Sequence, residues 1–166
     1  AMEELGFETG ISSRSSGDNF VSDCTIETDQ LALIPDSYID MTAEKIRIYK
    51  ELDSLTSEKD LINMKNRLTD RFGKMPVELE RLFDIVRIRQ LGQKLGFEKI
   101  IIKNGVMIAF FITNPLSQYY RSDRFSKVLE NVNINPKLFE IKQPDGRLRI
   151  MVRNVDGISK AYDILK

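Results

Sequence analysis

The stretch NRLTDRFGKMPVELERLFDIVRIRQLGQKLG, Asn66–Gly96, decides the fold because it holds the end of one helical pattern and all of a longer one. Gly73 follows the last apolar residue of the first pattern, where a glycine can adopt the left-handed conformation that closes a helix. Pro76 suits the first position of the next helix, and Glu78 and Glu80 suit the positive end of its dipole. The stretch therefore predicts two consecutive helices, the second of which ends at its final glycine.

Two helices are predicted between residues 40 and 72, because apolar residues recur there at spacings of three and four. Asp40 or Thr42 is the expected cap of the first helix. Ser57 is the expected cap of the second, and Asp60 three residues later approximates a capping box. The predicted core faces are Ile48, Leu52 and Leu55 in the first helix and Leu61, Met64, Leu68 and Phe72 in the second. The third helix is apolar over a wide arc, which predicts a central place in the core.

Strand pairs dominate the second half of the chain. Asn104-Gly105 separates two β-branched and aromatic runs and predicts a hairpin with a type I′ turn, and a weak alternation over residues 20–29 predicts an edge strand. A second pair of runs, LFEIKQ and RLRIMV, is joined through residues 144–146. Ser117 is the expected cap of a helix between the pairs, and GISKAYDILK is a predicted closing helix. The expected fold class is α+β, with N-terminal helices followed by a small, mostly antiparallel sheet in ββαββα order that helices cover.

Composition excludes several classes of function. The 166 residues contain 25 Lys and Arg against 25 Asp and Glu, so no overall charge attracts nucleic acid or an anionic membrane. The absence of histidine and the single cysteine, Cys24, exclude imidazole triads, disulfide frameworks and cysteine-rich zinc sites. No phosphate-binding loop motif is present, and the carboxylates give no positive signal for an enzyme. We expect no cofactor, metal site or catalysis in this chain, and no membrane span or signal peptide, which favours a cytoplasmic protein.

A change in composition near residue 20 predicts the domain organisation. Gly10–Asn19 is rich in serine and glycine, so it cannot bury enough apolar surface to offset its ordering entropy. The chain begins with alanine before methionine, as in an addition placed ahead of an excised piece of a longer protein. We therefore expect residues 1–20 to be a flexible lead and residues 21–166 to form one domain.

A polar flank of the second predicted helix is the first candidate site. At 100° per residue, Arg67, Asp70 and Arg71 lie together on this flank, away from the apolar face. An intrahelical pair between Arg67 and Asp70 explains them structurally and is worth only about a few tenths of a kcal/mol. Asp70, however, lies near the helix C-terminus, where a negative charge is mildly unfavourable. A basic partner on another domain is therefore the alternative interpretation.

The second candidate site is QYYRSDRF, residues 118–125, which mixes aromatic side chains with arginines as single-strand binders do. Tyr119, Arg121 and Arg124 would then form the nucleic-acid contact of an accessory domain. An amphipathic helix with its rings in the core explains the same pattern, and Asp123 cancels part of the positive charge. The neutral net charge of the chain also favours this structural interpretation.

Several short motifs resemble one protein family. They are Ile34-Pro35-Asp36, Tyr38-Ile39, Ile48-Tyr49-Lys50, Asp70-Arg71-Phe72-Gly73 followed by Pro76, and Leu95-Gly96. In this order, from Leu33 to Ile100, they are similar to the C-terminal domain of bacterial transcription-repair coupling factors, the Mfd family. The segment from Asp-Arg-Phe-Gly to Pro is fairly specific, whereas the strand-rich half from Ile101 is more generic.

The resemblance implies a role for the domain and for the protein that contains it. Members of this family are translocases on double-stranded DNA that use ATP and Mg, displace stalled RNA polymerase and recruit the repair protein UvrA. Their C-terminal domain folds back on the UvrA-binding module of the same chain and masks it. The helix that ends in Asp-Arg-Phe-Gly contributes to this contact, which implies interdomain roles for Asp70, Arg71 and the position three before Asp70. The family has an acidic residue at that position and this chain has Arg67, so we expect either a compensating acid on the partner or no contact there.

Overall fold

A computed structural model describes residues 20–144, 147–155 and 157–165. The strands are β1 (Thr25–Thr28), β2 (Phe97–Lys103), β3 (Val106–Phe111), β4 (Phe139–Lys142) and β5 (Arg149–Arg153). The helices are α1 (Thr42–Ser54), α2 (Glu58–Phe72), α3 (Val77–Leu95), α4 (Asp123–Ile134) and α5 (Ile158–Leu165), and a 3-10 helix covers Gln118–Arg121. Apart from that 3-10 helix, the element order from α1 onward is three helices and then ββαββα, which confirms the predicted α+β class.

The strands form one five-stranded sheet in the order β1-β2-β3-β5-β4. β1 therefore lies at an edge, as its weak alternation predicts, although it is only four residues long. β4 lies at the opposite edge and pairs antiparallel with β5, so that Glu140 lies opposite Met151 and Ile141 opposite Ile150. Residues 145 and 146 of the predicted connection between these strands lie outside the described residues.

The chain divides into two compact units. We call the first the helical unit; it consists of Ile26–Leu91, Ile101–Met107 and the segment from Arg153 onward. We call the second the aromatic unit; among the described residues it consists of 20–25, Gly92–Ile100 and Ile108–Val152. The predicted lead, residues 1–20, lies outside the described residues except for Phe20, and one domain over residues 21–166 stays a prediction.

The core of the helical unit comes from the predicted apolar faces of α1, α2 and α3. Its buried members are Ile48, Leu52, Leu61, Met64, Leu68, Leu79, Phe83 and Val86, joined by Ile34, Ile39 and Met75. Leu55, Phe72 and Leu82 are partly buried against them. Burial of one large apolar side chain contributes about 1.5–3 kcal/mol, so these positions dominate the stability of the unit. The outward faces of the three helices are mainly polar, with Ile46, Ile62 and Val77 as exposed apolar members.

The two predicted helix caps have different outcomes. Ser57 caps α2 as predicted, because its hydroxyl accepts a hydrogen bond of 3.1 Å from the backbone N–H of Asp60. The prediction that Asp40 or Thr42 caps α1 is wrong. Met41 occupies the cap position without a side-chain hydrogen bond, and Thr42 is already the first helical residue. The buried Ile39 and the turn that precedes it fix where the helix begins, and a local capping preference is too weak to move that point.

The hairpin between β2 and β3 has the predicted turn. Asn104 and Gly105 have φ angles of +54° and +75°, the two positive values that a type I′ turn requires. The helix predicted after Ser117 is instead divided. Ser117 caps the 3-10 helix, and Ser122 then caps α4 by accepting a hydrogen bond from the N–H of Phe125. A second serine, five residues after the first, therefore caps a separate helix.

Aromatic rings fill the middle of the aromatic unit. Tyr119 is fully buried and its ring lies within 5.2 to 6.1 Å of the rings of four neighbours, Phe20, Phe111, Tyr120 and Phe125. The Tyr119 hydroxyl donates a hydrogen bond to the carbonyl of Leu95. Burial raises the pKa of Tyr119, because the phenolate would lose its hydration there. This side chain therefore has a structural role.

Candidate docking surface on helix α2

Helix α2 presents the three predicted site residues to solvent. Arg67, Asp70 and Arg71 are all exposed, whereas Leu61 and Leu68 on the other side of the helix are buried. The predicted polar flank is therefore correct in position. Truncating any of the three side chains would remove no core volume.

Both arginines are already paired with glutamates of α1. Arg67 donates a hydrogen bond to Glu51, and Arg71 donates one of 3.2 Å to Glu44 Oε1. The expected intrahelical pair between Arg67 and Asp70 is therefore absent among the described residues. The pairs lie between two helices of the helical unit and are mostly solvent-exposed on the arginine side, so each is worth at most about 1 kcal/mol.

Glu44 and Glu51 are the members of this surface that sequence patterns do not identify. They lie seven residues apart on α1, about two helical turns, while their arginine partners lie four apart on α2. The spacing permits many other pairings of acidic and basic residues. Only the packing of α1 against α2 selects these two.

The end of α2 is held by a set of internal contacts. The guanidinium of Arg71 lies 4.9 Å from the ring centroid of Phe72, and this ring lies 5.7 Å from that of Tyr38. The Tyr38 hydroxyl shares its one proton between the carbonyls of Leu68 at 3.1 Å and Gly73 at 2.8 Å, and burial raises its pKa. Tyr38 and the segment that ends at Gly73 are thus parts of one structure, although they are 35 residues apart in the chain.

Gly73 ends α2 as predicted, but with a different backbone conformation. Its N–H donates to the carbonyl of Thr69 at 2.9 Å, and its φ and ψ are +92° and −165°. This lies outside the left-handed helical region that the pattern predicts, in a region that glycine alone enters at low cost. The position therefore needs glycine for a structural reason.

Asp70 is the one residue of Asp70-Arg71-Phe72-Gly73 without such a role. Its carboxylate is exposed and makes no hydrogen bond or ion pair with any described residue. It belongs to a face of α2 that points away from the core, which we call the α2 outer face and which consists of Lys59, Asn63, Asn66 and Asp70. All four side chains are exposed, so this face is free to contact another molecule.

The residues of the alternative nucleic-acid site do not form a common exposed surface. Tyr119 is fully buried, and Arg124 donates a hydrogen bond to the carbonyl of Lys94. Arg121 is exposed and has no partner among the described residues. A stacking surface for bases needs exposed rings beside free cations, and these three residues do not form one.

Neither a metal cluster nor a membrane-spanning helix occurs in the described part of the chain. No three or more His, Cys, Asp or Glu side chains in it are placed to hold a metal ion. None of its helices is both long and apolar enough to cross a membrane.

Comparison with known proteins gives one consistent family. Residues 28–122 match the model of the TRCF domain family. Transcription-repair-coupling factors of Rickettsia conorii and Staphylococcus epidermidis are 32% and 34% identical to this chain over 133 residues, which are 80% of the chain. That of Escherichia coli is 37% identical over 75 residues, or 45% of the chain. The matched regions are 11%, 10% and 6% of these relatives, so the chain spans at most about a tenth of their length.

A solved structure shares the fold. It is the crystal structure of the C-terminal domain of a transcription-repair coupling factor, with a TM-score of 0.71 and 18% sequence identity. The alignment covers 86% of this chain and 87% of that one. At this identity the likeness establishes the fold, and the order of helices and strands described above is therefore an established arrangement.

Proposed function

Because this chain belongs to the TRCF domain family of transcription-repair-coupling factors, we propose that it is a non-catalytic regulatory domain that docks on the UvrA-binding module of its own protein. The docked domain masks that module until the protein engages DNA and stalled RNA polymerase. The whole protein would be an ATP- and Mg-dependent translocase on double-stranded DNA, and this domain would regulate when UvrA is recruited. We place the contact on the α2 outer face, with Asp70 as its acidic member.

One observation carries the proposal. In the segment Asp70-Arg71-Phe72-Gly73, three residues have internal partners or a backbone requirement, and Asp70 alone has neither among the described residues. An aspartate in the last turn of a helix costs about 0.3–1 kcal/mol through the helix dipole. A basic residue on a partner would offset this cost, and no described residue of this chain does.

The contacts of Arg67 and Arg71 change the proposed site. Both were candidates for the interdomain contact, but each holds a glutamate of α1. Substituting either residue would alter the packing of α1 against α2 as well as any docking. Asp70 is therefore the residue whose substitution tests docking alone.

The test uses Asp70→Lys in the full-length protein. We expect UvrA to bind this variant about three- to tenfold more tightly than the parent without DNA or polymerase, because reversal of one charge pair weakens the masked state by about 1 kcal/mol. The measurement is a titration with UvrA. Asp40→Lys is the matched control: Asp40 is also exposed and without a described partner, and its reversal changes the net charge equally.

A second measurement separates docking from any effect of charge on UvrA. The isolated 166-residue chain should bind the separately prepared UvrA-binding module, and Asp70→Lys should weaken this complex while Asp40→Lys leaves it unchanged. If the Asp70 variant masks UvrA binding as well as the parent does and binds the module equally well, Asp70 has no part in docking. If both variants unmask equally, the effect is one of net charge and the proposed surface is wrong.

A further inference from the structure

Strand β4 leaves one side of its backbone without a strand partner. It is the last strand in the sheet order and pairs with β5 alone among the described strands. Three of its four residues are exposed, Glu140, Ile141 and Lys142. A strand edge of this kind presents unpaired N–H and C=O groups, which can add a further strand.

The charged residues of β4 are arranged so that two antiparallel copies of the strand would place opposite charges against each other. Glu140 and Lys142 are two residues apart, so their side chains lie on the same face of the sheet, with Ile141 between them on the other face. If two copies of β4 run antiparallel with Ile141 opposite Ile141, Glu140 of each copy lies opposite Lys142 of the other. Cross-strand pairs of opposite charge stabilise such an edge, and like charges destabilise it.

We propose that β4 pairs with the β4 of a second copy of this chain, through a two-fold axis at Ile141, to form a symmetric dimer. The two sheets then continue into one another, and the Glu140 to Lys142 contact occurs twice. A two-fold interface uses the same patch on both copies, as this register does.

Exposed apolar side chains lie beside this edge. Ile134 at the end of α4, Leu138 before β4 and Ile141 within it are 66%, 40% and 39% exposed. α4 packs against β4 in the aromatic unit, and Leu138 directly precedes the strand. Pairing would remove part of this apolar surface from water.

Lysine on an edge strand usually opposes pairing. A strand that carried lysine alone would repel its own copy, whereas alternating Glu and Lys at one face attracts it in the register described. Glu140 also has an interaction within its own chain, and a carboxylate can accept more than one contact, so Lys142 of the other copy would be an additional partner. The strand is only four residues long, so the dimer is a weak one.

The experiment measures self-association of the 166-residue chain by analytical ultracentrifugation up to about 1 mM. We expect the parent to form a dimer as concentration rises. Glu140→Lys or Lys142→Glu alone should weaken it at least about tenfold, because each variant places two like-charged pairs across the axis. An equimolar mixture of the two variants should associate within about threefold of the parent, since all facing charges are then opposite.

Lys50→Glu is the matched control for Lys142→Glu. It makes the same charge change at an exposed position of α1, far along the chain from β4, and should leave the dimer unaffected. Thermal unfolding of each variant verifies that these exposed substitutions preserve the fold. A parent that stays monomeric at about 1 mM overturns the proposal. So does a mixture that associates no better than its components, or a dimer that both single reversals leave intact.

Discussion

At Gly96 the absence of a side chain lets a buried ring pack against the end of α3. Its φ is +94°, and a Cβ atom there would lie 2.1 Å from Cε1 of the Tyr119 ring. Tyr119 is fully buried, and its hydroxyl donates a hydrogen bond to the carbonyl of Leu95, the residue before Gly96. The ring therefore cannot move away. The sequence predicts a glycine as the helix terminator, but the tyrosine 23 residues later that packs on it is visible only in the structure.

Gly96→Ala should lower the free energy of unfolding by about 3 kcal/mol or more. The new methyl group adds a clash inside a packed core to the cost of a positive φ. Gly105→Ala is the matched control, because Gly105 has a φ of +75° and a Cβ there would meet no atom within 4 Å, so it should lose only about 1 kcal/mol. Urea denaturation measures both, and equal losses would show that the contact with Tyr119 is not a constraint.

At the scale of elements, the spacing of apolar residues predicted the buried faces of the helices more accurately than capping residues predicted where the helices begin. The apolar faces of α1, α2 and α3 are buried as predicted, because a stripe of several large side chains has few alternative placements. The start of α1 was predicted wrongly, since Asp40, Met41 and Thr42 are adjacent and a cap is worth only about 1 kcal/mol. The pairing of α2 arginines with α1 glutamates was not predicted, because it depends on how the helices pack.

The starts of the first two helices give a direct comparison. Ser57→Ala should lower the free energy of unfolding by about 1 kcal/mol, because the N–H of Asp60 loses its hydrogen-bond acceptor. Thr42→Ala should change it by less than about 0.5 kcal/mol, because Thr42 lies inside the helix and caps nothing. Chemical denaturation of both variants checks this. Equal losses would restore Thr42 as a cap.

For the whole molecule, the fold class and the family followed from the sequence, and the role of single surface residues did not. Motifs that mark the family turn out to contact one another: the Tyr49 hydroxyl accepts a hydrogen bond of 2.8 Å from the N–H of Ile34, and Tyr38 holds the end of α2. Such motifs identify the fold because they build it. Asp70 differs from these motif residues because it has no partner among the described residues, and no sequence pattern reveals this difference.

The isolated chain should neither bind nor hydrolyse ATP. It contains no phosphate-binding loop motif and no histidine, so its sequence offers neither a cradle for phosphates nor an imidazole base. A ligand that binds the folded state specifically stabilises it by RT ln(1 + [L]/Kd), and without such binding MgATP should leave the melting temperature unchanged when compared with sodium sulfate at equal ionic strength. A rise with MgATP alone would reveal a nucleotide site and contradict the proposal of a non-catalytic domain.

The buried thiol of Cys24 is a natural probe of local unfolding in this chain. It is the single cysteine of the sequence and is 1% exposed, and Gly92 packs so closely that a methyl group there would lie 2.5 Å from the Cys24 sulfur. A buried thiol reacts with an alkylating reagent only when the structure around it opens. The labelling rate of Cys24 therefore reports openings of the aromatic unit. A cysteine placed on the α2 outer face would accept a fluorophore within the folded state, so the native thiol need not be removed before a dye is attached to the docking surface.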